Sequence, residues 1–190
     1  FYELLTRRLQ YALQEERNQF HWDATHDALT GLPNRPDFYQ RLELAIRTVE
    51  RNGQALALVV FDLDGFKPVN DKLGHHAGDM VLQAMGERLQ ATVRGVDTVA
   101  RIGGDEFAVI LQDVSADAEL LNSVLQKILK AVAEPVSVDG KIVSVSASLG
   151  VTFYRTGYTL NELCKQADIA LYAAKKTKNT WQLYCEDQTL

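Results

Sequence analysis

The chain has 190 residues, of which 46% are hydrophobic and 24% charged, and its net charge is −5. This composition is typical of one globular domain with a buried core, and it excludes disordered and fibrous classes. The acidic balance disfavours a nucleic-acid partner, and the longest apolar run, residues 55–61, is too short to span a membrane.

The first 25 residues are predicted to form a helix that differs in character from the rest of the chain. Tyr2, Leu5, Leu9 and Ala12 alternate in spacings of three and four, which is the seam of a pairing helix. Because two heptads are too few to establish a coiled coil, a helix packed on its own domain is an equally good interpretation.

The next segments alternate between helices and a strand. A loop rich in Gly and Pro at residues 30–36 precedes a helix over 38–49, which Gly53 ends. An apolar strand follows at 55–61, then a polar loop, and then a helix over 77–89.

The sequence pattern of the second half of the chain predicts a hairpin, a helix, a strand and a last helix. Residues 99–111 form the hairpin around a Gly-Gly pair, and residues 115–133 form the helix. Odd positions from 143 to 153 are apolar and even positions are polar or Gly, which predicts a strand with one polar face. A capping box at residues 159–162 opens the last helix. This interleaving predicts a mixed sheet covered by helices.

The cysteines and the first residue bear on where the protein works. Cys164 and Cys185 form no disulfide framework and lack the spacing of zinc ligands, which suits a reducing cytoplasm. We therefore expect a cytoplasmic domain. The chain opens on Phe1 without a methionine or a signal-peptide pattern, so we interpret it as part of a longer protein.

Two acidic clusters accompany predicted strands. Asp62 and Asp64 follow the apolar strand, and Asp105 and Glu106 lie in the hairpin. Carboxylates at strand ends need a counter-charge or a cation, and oxygen ligands without His or Cys favour Mg²⁺ or Mn²⁺. Each cluster alone is explained as well by an ordinary turn. If the two strands are neighbours, Asp62 lies near Asp105 and the pair forms a site for metal-bound phosphates.

Polar groups suited to a nucleotide surround the start of the next helix. Gly65 permits close backbone approach to an anion, and Lys67 adds positive charge. An Asn and an Asp together can read the edge of guanine. The residues available for this, each of which is also explained as a cap or a surface residue, are Asn70, Asp71, His75 and Asp79.

Two further charged groups leave alternatives open. Lys175, Lys176 and Lys178 end the last predicted helix, where they either pair with the helix dipole or neutralise phosphate. Arg94 and Asp97 are three residues apart, and their simplest interpretation is a surface ion pair.

Residues 101–107 read RIGGDEF, and here the chain resembles the GGDEF family, the diguanylate cyclases. Further matching motifs, in the family's order, are residues 26–35 (HDALTGLPNR), 61–67 (FDLDGFK), 70–71, 74–75, 78–79, 148–151 and 167–175. The resemblance implies a palm-like, ferredoxin-like nucleotide-cyclase fold of the α+β class, with a mostly antiparallel central sheet flanked by helices. It also implies a cyclase domain over 26–190, preceded by a signalling stalk helix over 1–25 that links it to an upstream sensor domain.

The resemblance implies condensation of two GTP molecules into cyclic di-GMP with release of two pyrophosphates. The reaction joins two nucleotides although each domain has one site, so a homodimer with one GTP per domain is expected. By position, Asp62, the Leu63 carbonyl and Asp105 would hold Mg²⁺ or Mn²⁺. Glu106 would assist metal binding or catalysis, so Asp105 and Glu106 are the catalytic candidates.

The same resemblance assigns the nucleotide contacts. Asn70 and Asp79 would read guanine and His75 would line the pocket. The backbone amides of Gly65 and Phe66 would hold phosphates, together with the side chain of one lysine, Lys175.

One departure from the family pattern concerns the last phosphate contact. After Lys175 the family usually runs two residues and then Gly-Arg-Asn, whereas residues 176–179 here are one residue shorter and lack that Gly. Lys178 stands in place of the Arg and offers a point charge rather than a planar fork.

Regulation is implied by the spacing of Arg94 and Asp97, which is that of the family's inhibitory site for the product, cyclic di-GMP. A catalytically silent module that binds GTP or cyclic di-GMP and regulates a partner domain is the alternative function. The presence of Asp62, Asp105 and Glu106 favours an active enzyme.

Overall fold

The structure is a computed structural model, and it describes residues 2–114 and 118–186. Within these ranges the helices are α1 (Tyr2–Thr25), α2 (Arg35–Asn52), α3 (Phe66–Leu73), α4 (His75–Thr92), α5 (Ala118–Ala133) and α6 (Leu160–Thr177). The strands are β1 (Leu56–Asp64), β2 (Thr98–Arg101), β3 (Glu106–Gln112), β4 (Val136–Val138), β5 (Lys141–Val143), β6 (Ser146–Phe153) and β7 (Thr180–Leu183).

Five strands form the central sheet in the order β2-β3-β1-β6-β7. Neighbouring strands are antiparallel except for the edge strand β7, which runs parallel to β6. Strands β4 and β5 form a separate two-stranded hairpin. The predicted α+β class, with a mostly antiparallel sheet flanked by helices, is confirmed.

Strand β1 lies in the middle of the sheet and is covered on both faces. Val59, Phe61 and Leu63 belong to the core formed with α4 and α5, whereas Leu58 and Val60 belong to the core formed with α2 and α6. Side chains alternate between the faces of a strand. The residues with even numbers at the end of β1 therefore face α2 and α6.

Several predicted elements are confirmed. The helix after the Gly- and Pro-rich loop begins at a cap in which the side chain of Asn34 accepts from the backbone N–H of Asp37, and Gly53 ends it in the left-handed conformation. The hairpin is formed by β2 and β3. Thr159 and Glu162 form the predicted capping box of α6.

The prediction of a polar loop directly after β1 is wrong, because residues 66–73 form α3. Phe66 and Val69 are buried and hold this short helix against the core. Pro68 lies in the first turn, where the missing N–H of proline has no helical partner to lose. The predicted helix over 77–89 is confirmed as α4, which begins at His75.

The predicted single strand over 143–153 is wrong in its bounds. The chain leaves β5 at Val143 and starts β6 at Ser146, so the segment contributes to two sheets. The polar, even-numbered face of β6 is buried, with Ser148 at 0% and Thr152 at 2% exposure. Helix α6 covers this face because Gly150 has no side chain to keep it away. A Cβ at Gly150 would lie 2.2 Å from both the Ala167 carbonyl oxygen and the Leu171 nitrogen.

Helix α1 confirms the predicted helix at the start of the chain. The alternative of a helix packed on its own domain is contradicted, because residues 6–24 are exposed. Large apolar side chains on it, including Leu9, Leu13 and Phe20, are 63%, 56% and 77% exposed. No helix in the described ranges is both long enough and apolar enough to cross a membrane.

The predicted helix over 115–133 is confirmed from Ala118 onward as α5. Its first three predicted residues, 115–117, lie outside the described residues.

Candidate active site

The two acidic clusters lie side by side at one end of the sheet. Strand β1 pairs with β3 so that Asp62 is opposite Glu106, and the Leu63 backbone N–H donates to the Asp105 carbonyl oxygen at 3.2 Å. On its other side Asp62 is opposite Ser148 of β6. The strand thus continues through Asp64, so the interpretation of Asp62 and Asp64 as a turn is wrong.

Asp62, Asp64, Asp105 and Glu106 are together called the acidic group below, and their negative charges are only partly compensated. Lys175, in the last turn of α6, places its Nζ 2.6 Å from Oδ2 of Asp62. Partial burial alone would lower the pKa of Lys175, but the hydrogen bond to Asp62 and the negative charges of Asp62, Glu106 and Asp105 together outweigh burial, and the pKa is raised. Asp105 has no ion-pair partner within residues 2–114 and 118–186. Burial, reinforced by the charge of Asp62, raises the pKa of the Asp105 carboxyl.

These donors fit a hard divalent cation. Asp62, the Leu63 carbonyl and Asp105 offer oxygen ligands, which Mg²⁺ and Mn²⁺ prefer. A cation at this position would also offset the burial and the repulsion from Asp62 that together raise the pKa of Asp105. Within the described part of the chain, no group of three or more His, Cys, Asp or Glu side chains is already gathered as a metal site. The backbone carbonyl and the phosphates of a bound nucleotide would therefore have to complete the coordination.

The loop that carries Asp105 is fixed by Arg101. The guanidinium of Arg101 donates to the Gly104 carbonyl oxygen from Nε at 3.1 Å and from Nη2 at 2.8 Å. Its Nη1 lies 3.0 and 3.1 Å from the two carboxylate oxygens of Asp27. Asp27 also accepts from the backbone N–H and the hydroxyl of Thr30. Sequence reasoning assigned no role to Arg101 or Asp27, although both lie inside recognised motifs.

A cavity of about 450 Å³ opens next to the acidic group. It is lined by most of the residues that the sequence suggested for a nucleotide, together with the loop that Arg101 fixes. They are Phe66, Lys67, Asn70, Asp71, His75, Asp79, Leu82, Arg101, Gly104 and Asp105. The structure therefore brings the candidate guanine-reading residues and one catalytic candidate to one cavity.

Asn70 has an unusual environment in this cavity wall. Its side-chain oxygen Oδ1 is buried and has no hydrogen-bond partner among the described residues. The oxygen packs against Gly78 at the start of α4, where a Cβ would lie 1.9 Å from it. A buried acceptor without a donor costs free energy, so this oxygen is suited to a ligand that supplies an N–H.

The start of α3 presents backbone donors beside the acidic group. Gly65 adopts a φ of 82°, which a residue with a Cβ rarely adopts, and no side chain caps the helix at this position. The first N–H groups of α3, beginning at Phe66, therefore face the site without a side-chain cap. Such a helix start attracts anions.

Lys178 lies differently from the other phosphate candidates. It follows α6 as its cap residue, with a φ of 61° and a ψ of 161°, and its side chain is exposed. It does not line the cavity that contains Asn70 and Asp79. Lys175, one helical turn earlier, is the lysine that contacts the acidic group.

Arg94 and Asp97 lie in the turn between α4 and β2, apart from the residues that line the first cavity. Arg94 donates to Asp97 from Nε and Nη2, each at 2.9 Å. The Asp97 side chain is only 2% exposed and also accepts from the backbone N–H of Gln112, so the interpretation as a simple surface pair is wrong. The Arg94 side chain remains 49% exposed beside a second cavity of about 290 Å³.

Residues 24–180 match the family model for the diguanylate cyclase GGDEF domain. The chain belongs to this GGDEF family. The fold and family expected from the motifs are therefore confirmed, as is the enzyme class, that of the nucleotidyltransferases, at the level of the family.

Relatives with established names support the same assignment. The chain is 44% identical over 154 residues to the bifunctional diguanylate cyclase/cyclic di-GMP phosphodiesterase MucR of Pseudomonas aeruginosa, covering 80% of this chain and 22% of MucR. It is 40% identical over 169 residues to the diguanylate cyclase TpbB of the same species, covering 88% of this chain and 39% of TpbB. The chain thus spans well under half of these two relatives.

Two solved structures share the fold. The GGDEF domain of TpbB is 38% identical with a TM-score of 0.80, and the match covers 86% of this chain and 96% of that domain. The coiled coil and GGDEF domain of DgcB from Caulobacter crescentus, solved in complex with cyclic di-GMP, is 28% identical with a TM-score of 0.85. That match covers 94% of this chain and 95% of the DgcB chain.

Proposed function

We propose that this domain is an active diguanylate cyclase that condenses two molecules of GTP into cyclic di-GMP. The observation that carries the proposal is the position of Asp62 and Asp105. The two carboxylates lie on adjacent strands, beside a cavity whose wall contains Asn70 and Asp79. This arrangement would put a site for metal-bound phosphates next to a site for guanine.

The acidic group would hold the cation through Asp62, the Leu63 carbonyl and Asp105, with Glu106 assisting from the strand opposite Asp62. When bound, Mg²⁺ or Mn²⁺ would stabilise the negative charge that develops during phosphoryl transfer. Lys175 already lies against Asp62 and would contribute positive charge to the phosphates.

The nucleotide would be oriented by the cavity and by the start of α3. Asp79 would accept from the N–H groups of the guanine edge, Asn70 would pair with its donor and acceptor atoms, and His75 would line the pocket. The backbone amides of Gly65 and Phe66, together with Lys67, would hold the phosphates near the acidic group. A contact from Lys178 would require the residue to turn toward the bound phosphates.

The reaction would consume two GTP molecules, one from each of two domains. The 3′-hydroxyl of each GTP attacks the α-phosphorus of the other, and the bond between the α- and β-phosphates breaks. Two phosphodiester bonds form, two pyrophosphates leave, and the protons of the two hydroxyls pass to the pyrophosphates or to water. Because the domain carries one acidic group beside one nucleotide cavity, the productive form would be a two-fold homodimer with one GTP in each domain.

Product feedback and input would act at separate places. Cyclic di-GMP would bind at Arg94 and Asp97, where the exposed guanidinium can stack on a guanine or contact a phosphate. Residues 1–25 would form the stalk that links the cyclase domain over 26–190 to an upstream sensor domain. The exposed apolar side chains of α1 suit a helix that pairs with another chain.

Incubation of the purified chain with GTP and Mg²⁺, followed by mass spectrometry of the products, tests this proposal. The expected products are cyclic di-GMP and pyrophosphate. Binding of GTP or cyclic di-GMP without any turnover would instead support the silent regulatory module.

A further inference from the structure

Asp64, the last residue of β1, is held by donors from two other parts of the sheet. Its carboxylate accepts from the Ser148 hydroxyl at 3.0 and 2.9 Å, and from the Ser146 hydroxyl at 3.3 Å. It also accepts from the backbone N–H of Asn179 at 3.1 Å. Both carboxylate oxygens are therefore engaged by neutral donors from β6 and from the turn that follows α6.

The turn that donates to Asp64 has an unfavourable backbone. Lys178 has a φ of 61° and a ψ of 161°, a conformation that is essentially confined to glycine. The next residue, Asn179, has a φ of 47° in the left-handed region. Residues with a Cβ hold such conformations only where surrounding contacts impose them. The hydrogen bond from Asn179 to Asp64 is a contact of this kind.

The same end of α6 also carries Lys175. Its ammonium group reaches Asp62, while the turn three to four residues later is tied to Asp64. The two acidic residues of β1 thus secure one helix end, one through an ion pair and the other through neutral hydrogen bonds. Release of the turn from Asp64 would free the last turn of α6, which places Lys175.

We propose that Asp64 is a positioning residue for the cyclase reaction, an inference that rests on the proposed function. Asp64 holds the turn after α6 against the sheet, and so keeps Lys175 beside Asp62, where the phosphates of GTP would bind. It acts through Lys175 rather than through a contact of its own with the phosphates.

Steady-state kinetics with a double-mutant cycle tests the inference. Asp64→Ala should raise KM for GTP about tenfold, the size expected for one lost charged contact, with kcat changed less than about threefold. Asp64→Asn retains one acceptor oxygen and should give an intermediate KM. Glycine adopts the backbone conformation of residue 178 without help from surrounding contacts. In a chain that already carries Lys178→Gly, the further change Asp64→Ala should therefore raise KM less than about threefold.

The control is Glu87→Ala, which removes an exposed carboxylate on α4 that lines neither the cavity of Asn70 and Asp79 nor the cavity beside Arg94. This change should leave KM and kcat unaltered. A general loss of stability would raise KM equally whether Asp64→Ala is made in the unchanged chain or in the Lys178→Gly chain. Only a positioning role predicts that Lys178→Gly suppresses the rise in KM.

A second measurement does not depend on turnover. Brief acetylation of the metal-free protein, followed by peptide mass spectrometry, reports how firmly the Lys175 amine is held by Asp62. The exposed Lys165 on the same helix is the internal reference. Lys175 should react several-fold faster in Asp64→Ala than in the parent, and to an intermediate degree in Asp64→Asn.

Unchanged Lys175 labelling and unchanged KM in folded variants would overturn the inference. If Asp64→Ala does not fold, Asp64→Asn decides by the same two readouts. If the parent chain shows no turnover, the proposed function fails, and the acetylation rates alone decide whether Asp64 positions Lys175.

Discussion

Asp27 and Arg101 lie 74 positions apart in the sequence and form an ion pair at the edge of the candidate active site. The Arg101 side chain is 14% exposed and that of Asp27 is 25% exposed. Because the same guanidinium holds the Gly104 carbonyl, the segment after α1 is joined to the loop of Asp105 by one side chain.

Asp27→Asn should therefore destabilise the domain and loosen this loop. Loss of a partly buried, charge-assisted contact is expected to lower the free energy of unfolding by about 2 kcal/mol. Urea unfolding followed by circular dichroism measures the change. Glu43→Gln is a suitable control, since Glu43 and its partner Arg47 are 57% and 69% exposed and such surface pairs contribute little.

The effect of Asp27→Asn should depend on pH. Burial alone would raise the pKa of the Asp27 carboxyl, but the hydrogen bonds from Thr30 and Arg101 outweigh burial and the pKa is lowered below 3.8. A carboxylate with a lowered pKa stabilises the fold above its unfolded pKa, and this contribution is lost as the pH falls through the folded pKa. The difference in the free energy of unfolding between the parent and Asp27→Asn should thus be full at pH 7 and shrink below about pH 4. An undiminished difference at pH 3 would contradict this explanation.

Asp105→Asn should stabilise the protein in the absence of metal. Burial, followed by the charge of Asp62, raises the pKa of Asp105, so its ionised form destabilises the fold at neutral pH. A raised carboxyl pKa contributes stability below the unfolded pKa, and that contribution is lost as the pH rises through the folded pKa. The variant should therefore melt at a higher temperature than the parent at pH 7 in a chelating buffer.

The same variant tests the metal site. Mg²⁺ should raise the melting temperature of the parent and have little effect on Asp105→Asn, because a ligand is missing. Asp113→Asn, which changes an exposed aspartate, is the control and should respond to Mg²⁺ like the parent. An equal response of Asp105→Asn and the parent would argue against Asp105 as a ligand.

Much of the site could be predicted from the sequence because its parts are local. The run from Ala55 to Phe61 predicts a buried strand, and the Gly-Gly pair predicts a hairpin. That the two strands are neighbours stayed a condition of the sequence prediction, and the pairing of β1 with β3 meets it. The contacts of Asp64 with Asn179 and of Asp27 with Arg101 could not be predicted from spacing. They join segments 115 and 74 residues apart, and only the complete fold determines which distant segments meet.

The burial of the polar face of β6 has a packing explanation. Alternating apolar and polar residues usually indicate one exposed face. Here Ser148 and Thr152 are buried because their hydroxyls find acceptors in Asp64 and Gln166 beneath α6. Gly150 lets the helix backbone approach, a feature that alternation does not reveal.

Gly150→Ala should destabilise the domain through this contact. The added Cβ would meet backbone atoms of Ala167 and Leu171 at 2.2 Å, so α6 would have to move away from the sheet. We expect a loss of about 3 kcal/mol, the upper range for overpacking. Gly95→Ala is the matched control, because nothing lies within 4 Å of its Cβ and its φ is not positive. Equal unfolding free energies for the two variants would contradict this packing.

Arg94→Ala should relieve inhibition by cyclic di-GMP with little loss of initial rate. The fold should persist because Asp97 keeps its backbone donors from Gln112 and from residue 94 itself. Calorimetric titration with cyclic di-GMP and initial rates at several GTP concentrations measure the effect. The parent should show non-competitive inhibition, because Arg94 and Asp97 lie outside the proposed GTP cavity.

Arg47→Ala provides the comparison for this test. Arg47 forms an exposed ion pair with Glu43 on α2, and its loss should change neither affinity nor inhibition. Equal affinities of Arg94→Ala and the parent for cyclic di-GMP would leave Arg94 and Asp97 with a structural role alone.

The proposed reaction joins two GTP molecules and depends on Asp105. Mass spectrometry of the product formed with Mg²⁺ from an equal mixture of unlabelled and fully ¹³C-labelled GTP tests both points at once. We expect cyclic di-GMP with zero, one or two labelled halves in a ratio of about 1:2:1, as random pairing of two nucleotides requires, and no product from Asp105→Ala. A product that contains one nucleotide, or equal turnover by Asp105→Ala, would contradict this expectation.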